Sequence, residues 1–391
     1  MLAVNIGYSP RHAGSPIGLG PAPPRRGPRT TLIVLCVIAV LSSVVTTEEL
    51  SASGGRVAGC QPKVIRVSCS RVGATAESIA FVYAGSALGL RRPTGAAAAA
   101  GRLWITNLAG NSVSQISLRS ADRPVVRNGS RYGFSAPGPI VAGPRRLWVA
   151  NTVANTITEL NAENGAFIRT IPHIPAANSL VLSHARLWVA SGEGNSVRVF
   201  DAHSGKLVKQ FRRYGFSEPR ALAASHGCIW VANQRTSTVT VINATTGAWK
   251  ATLRSRRFRL AQPTAEVASR RRLWVANAAN STITEINTVT RHLVRVIRGD
   301  RYRLDFPAAM VLVGRDLWVA NELGNSLTEI DAATGRLVRV LSGRTYRFDA
   351  PSAMISYRGR IWVTNARAGS VTELQAARRS VRSQSTSLRS R

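Results

Sequence analysis

Apolar residues along this chain rarely follow the spacing of an amphipathic helix. They come in short runs rich in Val, Leu, Ile and Ala, separated by turn residues, and the runs return in a fixed order. The stretch "LWVANELGNSLTEIDAATGRLVRVL", Leu317 to Leu341, is nearly matched 44 residues upstream by "LWVANAANSTITEINTVTRHLVRVI". Tryptophan in the context [LI]-W-[VI]-[AT]-[NS] marks each return, at Trp104, Trp148, Trp188, Trp230, Trp274, Trp318 and Trp362, with spacings of 44, 40, 42, 44, 44 and 44 residues.

Each unit carries a proline-led apolar run such as "PAAMVLV", the LWVAN run, an [NT]-S-x-[TS]-E-[IL] run, a D/N-x-x-T-G-like turn and a run such as "LVRVL". That is four short strands per unit. In "DAATG" the aspartate can bond its own backbone and Gly335 can take positive φ, as a hairpin turn requires. Apolar runs without strict alternation imply sheets covered on both faces. Four-stranded antiparallel sheets repeating every 40 to 44 residues and covered on both faces predict an all-β fold, a seven-bladed β-propeller.

The seventh unit keeps three strands, but "QAARRSVRSQSTSLRSR" supplies neither the turn glycine nor the apolar fourth run. Upstream of the first unit, Gly85 precedes Pro93 by the same eight residues that separate Gly343 from Pro351. The segment Ser78 to Ala84 is therefore expected as the outer strand of the last blade, closing the ring from the N-terminal side and removing an open edge. The predicted organisation is a basic Pro/Gly-rich leader (1–29), a signal h-region or membrane anchor (30–47), a linker (48–77), the propeller (78–377) and a basic tail (378–391), with a monomer expected.

The N-terminal segment changes the picture of location. Arg25, Arg26 and Arg29 precede an uncharged run from Thr30 to Thr47 that contains "LIVLCVIAVLSSVV". Positive charge before an apolar segment holds its start in the cytoplasm and sends the rest across, so an extracytoplasmic protein is expected, secreted or N-terminally anchored. Beyond that signal Cys60 and Cys69 are a candidate disulfide, free thiols being the alternative. Cys36 and Cys228 have no His or Cys at metal-ligand spacing.

Net charge is +33, from 52 basic residues, nearly all arginine, against 19 acidic ones. Two readings stay open: a composition set by codon bias, or a surface for an anionic partner such as nucleic acid, an envelope polymer or lipid headgroups. A protein partner is open as well.

The repeat resembles the YVTN and NHL class of β-propellers, through the aromatic-V-x-N strand, the N-S-[VL] strand and I-D-x-x-T-G, with "YGFSAPGPIVAGPRRLWVAN" similar to the NHL arrangement. The resemblance implies a propeller over about residues 78 to 377 and little about activity, since such propellers serve many functions. Members of the class include virginiamycin B lyase-like and gluconolactonase-like enzymes, which are metal-dependent, and extracellular sensor domains. The first function expected is a non-catalytic binding or scaffolding module without a cofactor. The alternative the resemblance implies is a metal-dependent lyase or lactonase with a divalent cation, although W-V-A-N stands where lyases carry W-F-T-E and no His-x-Glu pair is present.

In such a ring the loops joining second to third strands, and those joining a fourth strand to the next first, share one face. Its candidate binding residues are Asn107, Asn151, Asn233, Asn277, Asn321 and Asn365, whose amides can face a ligand or a cation or else close a local turn. Arg131 with Tyr132, Arg213 with Tyr214 and Arg301 with Tyr302 can grip and stack a planar anion, or the aromatics can fill gaps between blades. Where the repeat breaks, His173 and Glu193 are candidates for a general base or half a metal site. Glu159, Glu285, Glu329 and Glu373 are expected as exposed cross-strand ion pairs, each worth under about 1 kcal/mol.

Overall fold

The structure, a computed structural model, describes residues 64–67, 80–119, 122–254 and 256–376. The leader, the apolar run, Cys36, Cys60, Cys69 and the tail lie outside the described residues.

Six units form four-stranded antiparallel sheets, and blade 6 shows the pattern: Pro307–Val313 innermost, then Asp316–Asn321, Ser326–Asp331 and Leu337–Leu341 outermost. Its hairpin forms as the turn residues predict, with Asp331 Oδ1 accepting from the Thr334 amide at 2.8 Å and Gly335 at φ 72°. The other innermost strands are Pro93–Ala99, Pro137–Ala142, Ala177–Ser183, Pro219–Ser225, Pro263–Ala268 and Pro351–Tyr357. Each touches its neighbours, and the strand of blade 7 touches that of blade 1, so seven blades close a ring.

Closure comes from the N-terminal side. Ala80–Tyr83 pairs antiparallel with Ser370–Gln375 as the fourth strand of blade 7. Val64–Val67, in the stretch read from sequence as linker, adds a fifth strand outside it. Tyr83 Oη donates to Glu373 Oε2 at 2.5 Å, tying the segment to the blade it completes. Burial, the Glu373 hydrogen bond and that carboxylate's charge hold the Tyr83 phenol above its ordinary pKa, so it stays a donor.

Neighbouring blades cover one another. Trp188 of blade 3 packs with Ile229 and Val231 of blade 4, and Trp362 of blade 7 packs with Leu103 and Ile105 of blade 1. The same arrangement gives seven separate cores in place of one. Each buried large apolar side chain contributes about 1.5–3 kcal/mol relative to exposure, which no isolated blade can gain.

Removing residues 1–93 would strip blade 7 of its outer strands and the blade 7–blade 1 gap of buried Leu88 and Leu90. The Ser370–Gln375 edge is then free to pair between molecules. The truncated chain is expected to run as aggregates or higher oligomers in size-exclusion chromatography with light scattering; a folded monomer would overturn closure by this segment.

Candidate functional site

The recurring asparagines do not present their amides to a ligand. All six are fully buried at the end of each second strand, and each Nδ2 donates to hydroxyls of the third strand. Asn321 Nδ2 reaches Thr328 Oγ1 at 2.9 Å, and that hydroxyl in turn donates to the Tyr302 carbonyl at 2.8 Å. The relay recurs through Ser114 to Leu88, Thr158 to Tyr132, Thr240 to Tyr214, Thr284 to Phe258 and Thr372 to Tyr346. It ties each connector to the blade that follows.

The connector aromatics are inter-blade plugs. Tyr132 and Tyr302 are 2% and 4% exposed, and Tyr214 is half-buried. Their hydroxyls donate to Gly165, Gly247 and Gly335 carbonyls in the next blade's hairpin turn. Arg131 and Arg301 lie over their tyrosines at 4.7 and 5.0 Å from the ring centroids and donate to the tyrosine hydroxyls, and Arg213 is exposed. The rings have no free face on which a ligand can stack.

Blade 3 breaks the relay in two coupled places. Ser191 replaces the asparagine and Arg198 replaces the threonine, and Arg198 Nη1 donates to the His173 carbonyl. An asparagine Nδ2 would find no acceptor on a guanidinium, so the two changes belong together. His173 and Glu193 are both exposed on this face, and among the described residues they share no hydrogen bond or ion pair. The irregular stretch that draws the eye in the sequence is thus occupied by a substitute for the blade-to-blade bond.

The repeated glutamates differ from expectation. Glu159 and Glu285 are fully buried, and Glu329 and Glu373 are 2% exposed. Both faces of a third strand are covered by other blades, so alternation does not send these side chains to water. Arginines from the flanking strands follow them inward: Arg146 and Arg169 pair with Glu159, Arg272 and Arg295 with Glu285, Arg339 with Glu329 and Arg360 with Glu373. Burial pushes the Glu285 carboxyl up, while Arg295 and Arg272 pull it back in part. These six arginines are committed to structure.

Residues that do not recur gather elsewhere. The seven innermost strands carry only two charged side chains, Arg220 in blade 4 and Glu266 in blade 5. Glu322 follows Asn321 in blade 6, where other units have Leu108, Thr152, Gly192, Gln234, Ala278 and Ala366. Burial pushes its carboxyl up, opposed by Arg220, Arg92 and Arg367. Those four residues come from blades 1, 4, 6 and 7. Charges on blades that are not neighbours reach one another only across the axis, which sets the group at the mouth of the central channel on the loop face. Arg220 Nη1 lies 3.5 Å from Asn178 Oδ1, and Arg367 lies 3.3 Å from the Asp349 carboxylate. Among the described residues Arg92 and Arg220 have no ion-pair partner at salt-bridge distance. Comparing the units position by position, instead of looking for recurrence, is the signal that finds this group.

The mouth does not fit a divalent cation. Its half-buried carboxyl, Glu322, lies in the field of three guanidinium groups, which repel a cation. Among the described residues no group of three His, Cys, Asp or Glu side chains is placed to hold a metal ion.

Glu266 lies deeper in the ring. It pairs across the sheet with Val275, which packs against blade 4. Its place in the other blades is taken by apolar residues such as Leu222, Met310 and Met354. Both carboxyl oxygens are buried without a hydrogen-bond partner among the described residues, and burial alone pushes the group far up its scale, keeping it neutral.

No protein-family model matches this chain, and no curated protein matches it significantly in sequence. Solved structures share its fold. Virginiamycin B lyase from Staphylococcus aureus is 14% identical with a TM-score of 0.63 over 76% of this chain and 99% of that one. A catalytically inactive variant of that lyase with quinupristin superposes equally well. Kuenenia stuttgartiensis hydrazine synthase is 15% identical with a TM-score of 0.62 over 74% of this chain and 96% of that chain. At these identities the likeness is one of architecture.

Glu266 makes a stability prediction with a definite sign. The folded chain keeps its proton at pH values where the unfolded chain has released it, so stability falls as pH rises above the ordinary carboxylate range. Glu285 shifts the same way. Glu266→Met, the residue of blades 6 and 7, is expected to add about 1–3 kcal/mol at neutral pH by removing an unsatisfied polar group. It should also flatten the fall in Tm between about pH 5 and about pH 8. Thermal melts across that range check it: an unchanged slope or a lower Tm would refute the assignment.

Proposed function

We propose that this chain is an exported, non-catalytic propeller module that captures an anionic ligand at the channel mouth on its loop face, outside the cytoplasmic membrane. The observation that carries the reading is the convergence of Arg92, Arg220 and Arg367, from three blades, on the single carboxyl of Glu322. Guanidinium groups fixed on separate rigid sheets offer forked donors to a carboxylate or phosphate without prior reorganisation. The net charge of +33 draws anions toward such a concave mouth. The Glu322 carboxyl beside them accepts a bond from a ligand hydroxyl.

Export rests on Arg25, Arg26 and Arg29 ahead of the apolar run at 30–47. The non-catalytic reading is supported by the make-up of the mouth: arginines and one acid, with no His or Cys among them to act as nucleophile or base.

Titration calorimetry with citrate and with inorganic phosphate tests the site. Binding is expected to be tighter than about 1 mM at physiological salt. Arg220→Gln is expected to weaken it by about tenfold or more, since a bond to a charged group is lost, with Tm unchanged because the side chain is exposed. Binding that ignores Arg220→Gln, or absence of binding for both anions, would overturn the reading. Fractionation of producing cells tests export, and a wholly cytoplasmic chain would sink that part.

A further inference from the structure

Five arginines that neither pair with the buried glutamates nor ring the channel mouth lie together along one arc of the loop face. Two adjoining cavities of about 460 and 360 Å³ share Arg259 and Asn280 and form one open groove from blade 4 to blade 6. Arg254, Arg256, Arg259, Arg298 and Arg303 line it, against two acids, Asp300 and Asp305. None of the five guanidinium groups has a salt-bridge partner among the described residues. Between them the second-to-third-strand loops present Ser237, Asn280 and Ser281, so cationic forks alternate with small neutral hydrogen-bonding groups along the groove.

Two of these arginines stand where the backbone disfavours them. At the residue ending the short connector helix, blades 1, 2 and 4 are entered through Gly89, Gly133 and Gly215, at φ 60°, 61° and 72°. At the same point Arg259 and Arg303 take φ 51° and 48°. Left-handed backbone suits glycine and strains a residue with a Cβ. A Cβ at Gly133 or Gly215 would meet nothing within 4 Å, so space does not decide the choice. The entry to blade 7, away from the groove, has Arg347 in the same place at φ 51°, so left-handed arginine stands in three connectors, two of which border the groove.

We propose that this groove binds a base-free polymer of repeating phosphates, an inorganic polyphosphate or a polyol-phosphate chain. Its length across three blades fits an extended chain, and bidentate guanidinium contacts suit phosphate oxygens. Nucleic acid is disfavoured because single strands are held largely by stacking of bases on aromatic rings. The groove's aromatics, Phe258 and Tyr302, are 4% exposed and sealed between blades. The groove shares no residue with the channel mouth, so it stands or falls apart from the function proposed above.

The test uses the full-length protein at about 0.15 M salt, with fluorescently labelled inorganic polyphosphate, poly(glycerol phosphate) and oligo(dT). The double variant Arg259→Gly, Arg303→Gly is compared with Arg291→Gly, Arg358→Gly. The latter pair also carry arginine at positive φ, 61° and 51°, but sit in turns of the opposite face. Both doubles remove the same charge and relieve the same strain, so both should melt at or above the wild-type Tm. The groove double is expected to lose about tenfold or more in affinity for a phosphate polymer, and the slope of log affinity against log salt is expected to fall by about 1.5. The opposite-face double should stay within about twofold, because its charges lie outside the contact. Preference between polyphosphate and poly(glycerol phosphate) identifies which phosphate chain is held. The proposal is overturned by equal losses in both doubles, by oligo(dT) binding as tightly with the same arginine dependence, or by absence of polymer binding in the wild type.

Discussion

The ring depends on how each connector is carried across the gap between blades. The aromatic residue there fills the gap, but it takes its own backbone carbonyl out of water. A buried carbonyl without a donor would cost about 1–3 kcal/mol at every blade. A hydroxyl from the next blade's third strand meets it, and the same oxygen accepts from the asparagine closing the second strand. Donor and acceptor capacity of one hydroxyl are both used, so asparagine, threonine and connector aromatic form a unit that must be written together. Blade 3 shows the coupling by exception: once Arg198 takes over the carbonyl, the asparagine loses its middle hydroxyl partner, and Ser191 stands in its place, bonded instead to the Pro175 carbonyl.

That unit explains what the sequence revealed. Strand number, turn chemistry and closure by the segment before Pro93 follow from a pattern repeated seven times, where each copy supports the others. Function lay hidden for the same reason. Recurrent asparagines and Arg-aromatic pairs allow both a ligand reading and a packing one, and in the folded ring recurrence measures packing, because every gap between blades poses the same problem. The glutamates pair with arginines as their phase implies but are not exposed, because a third strand in a propeller has no wet face, so Glu285 is buried with Arg272 and Arg295 following it. The channel mouth was illegible because its members lie far apart in sequence, and only the closed ring brings Arg92 and Arg220 to Glu322.

The charge then divides by role. Arginines on second and fourth strands neutralise buried carboxylates, and exchanging both partners of Glu159 or of Glu285 would leave an acid uncompensated inside the protein, a loss of about 3–5 kcal/mol. At the mouth, Arg367 pairs with Asp349 and the three arginines share the field of one carboxyl, Glu322, while among the described residues those in the groove between blades 4 and 6 have no salt-bridge partner. A high net charge opposes compaction through self-repulsion, so surface arginines without partners are an electrostatic burden that folding alone does not explain.

Distributed closure is what lets such a burden be carried. With seven cores in place of one, a local departure such as Arg303 in left-handed backbone or Glu266 between blades 4 and 5 weakens one seam and leaves six unchanged. Strain of about 1–3 kcal/mol at a single position is therefore tolerable in a ring where it would threaten a small single-core domain. Both departures, with Arg220 and Arg259, fall on blades 4 to 6. A fold that repeats its solution everywhere can depart from it locally, as blade 3 does with Ser191 and Arg198 and as blades 4 to 6 do beside the arginine-lined groove.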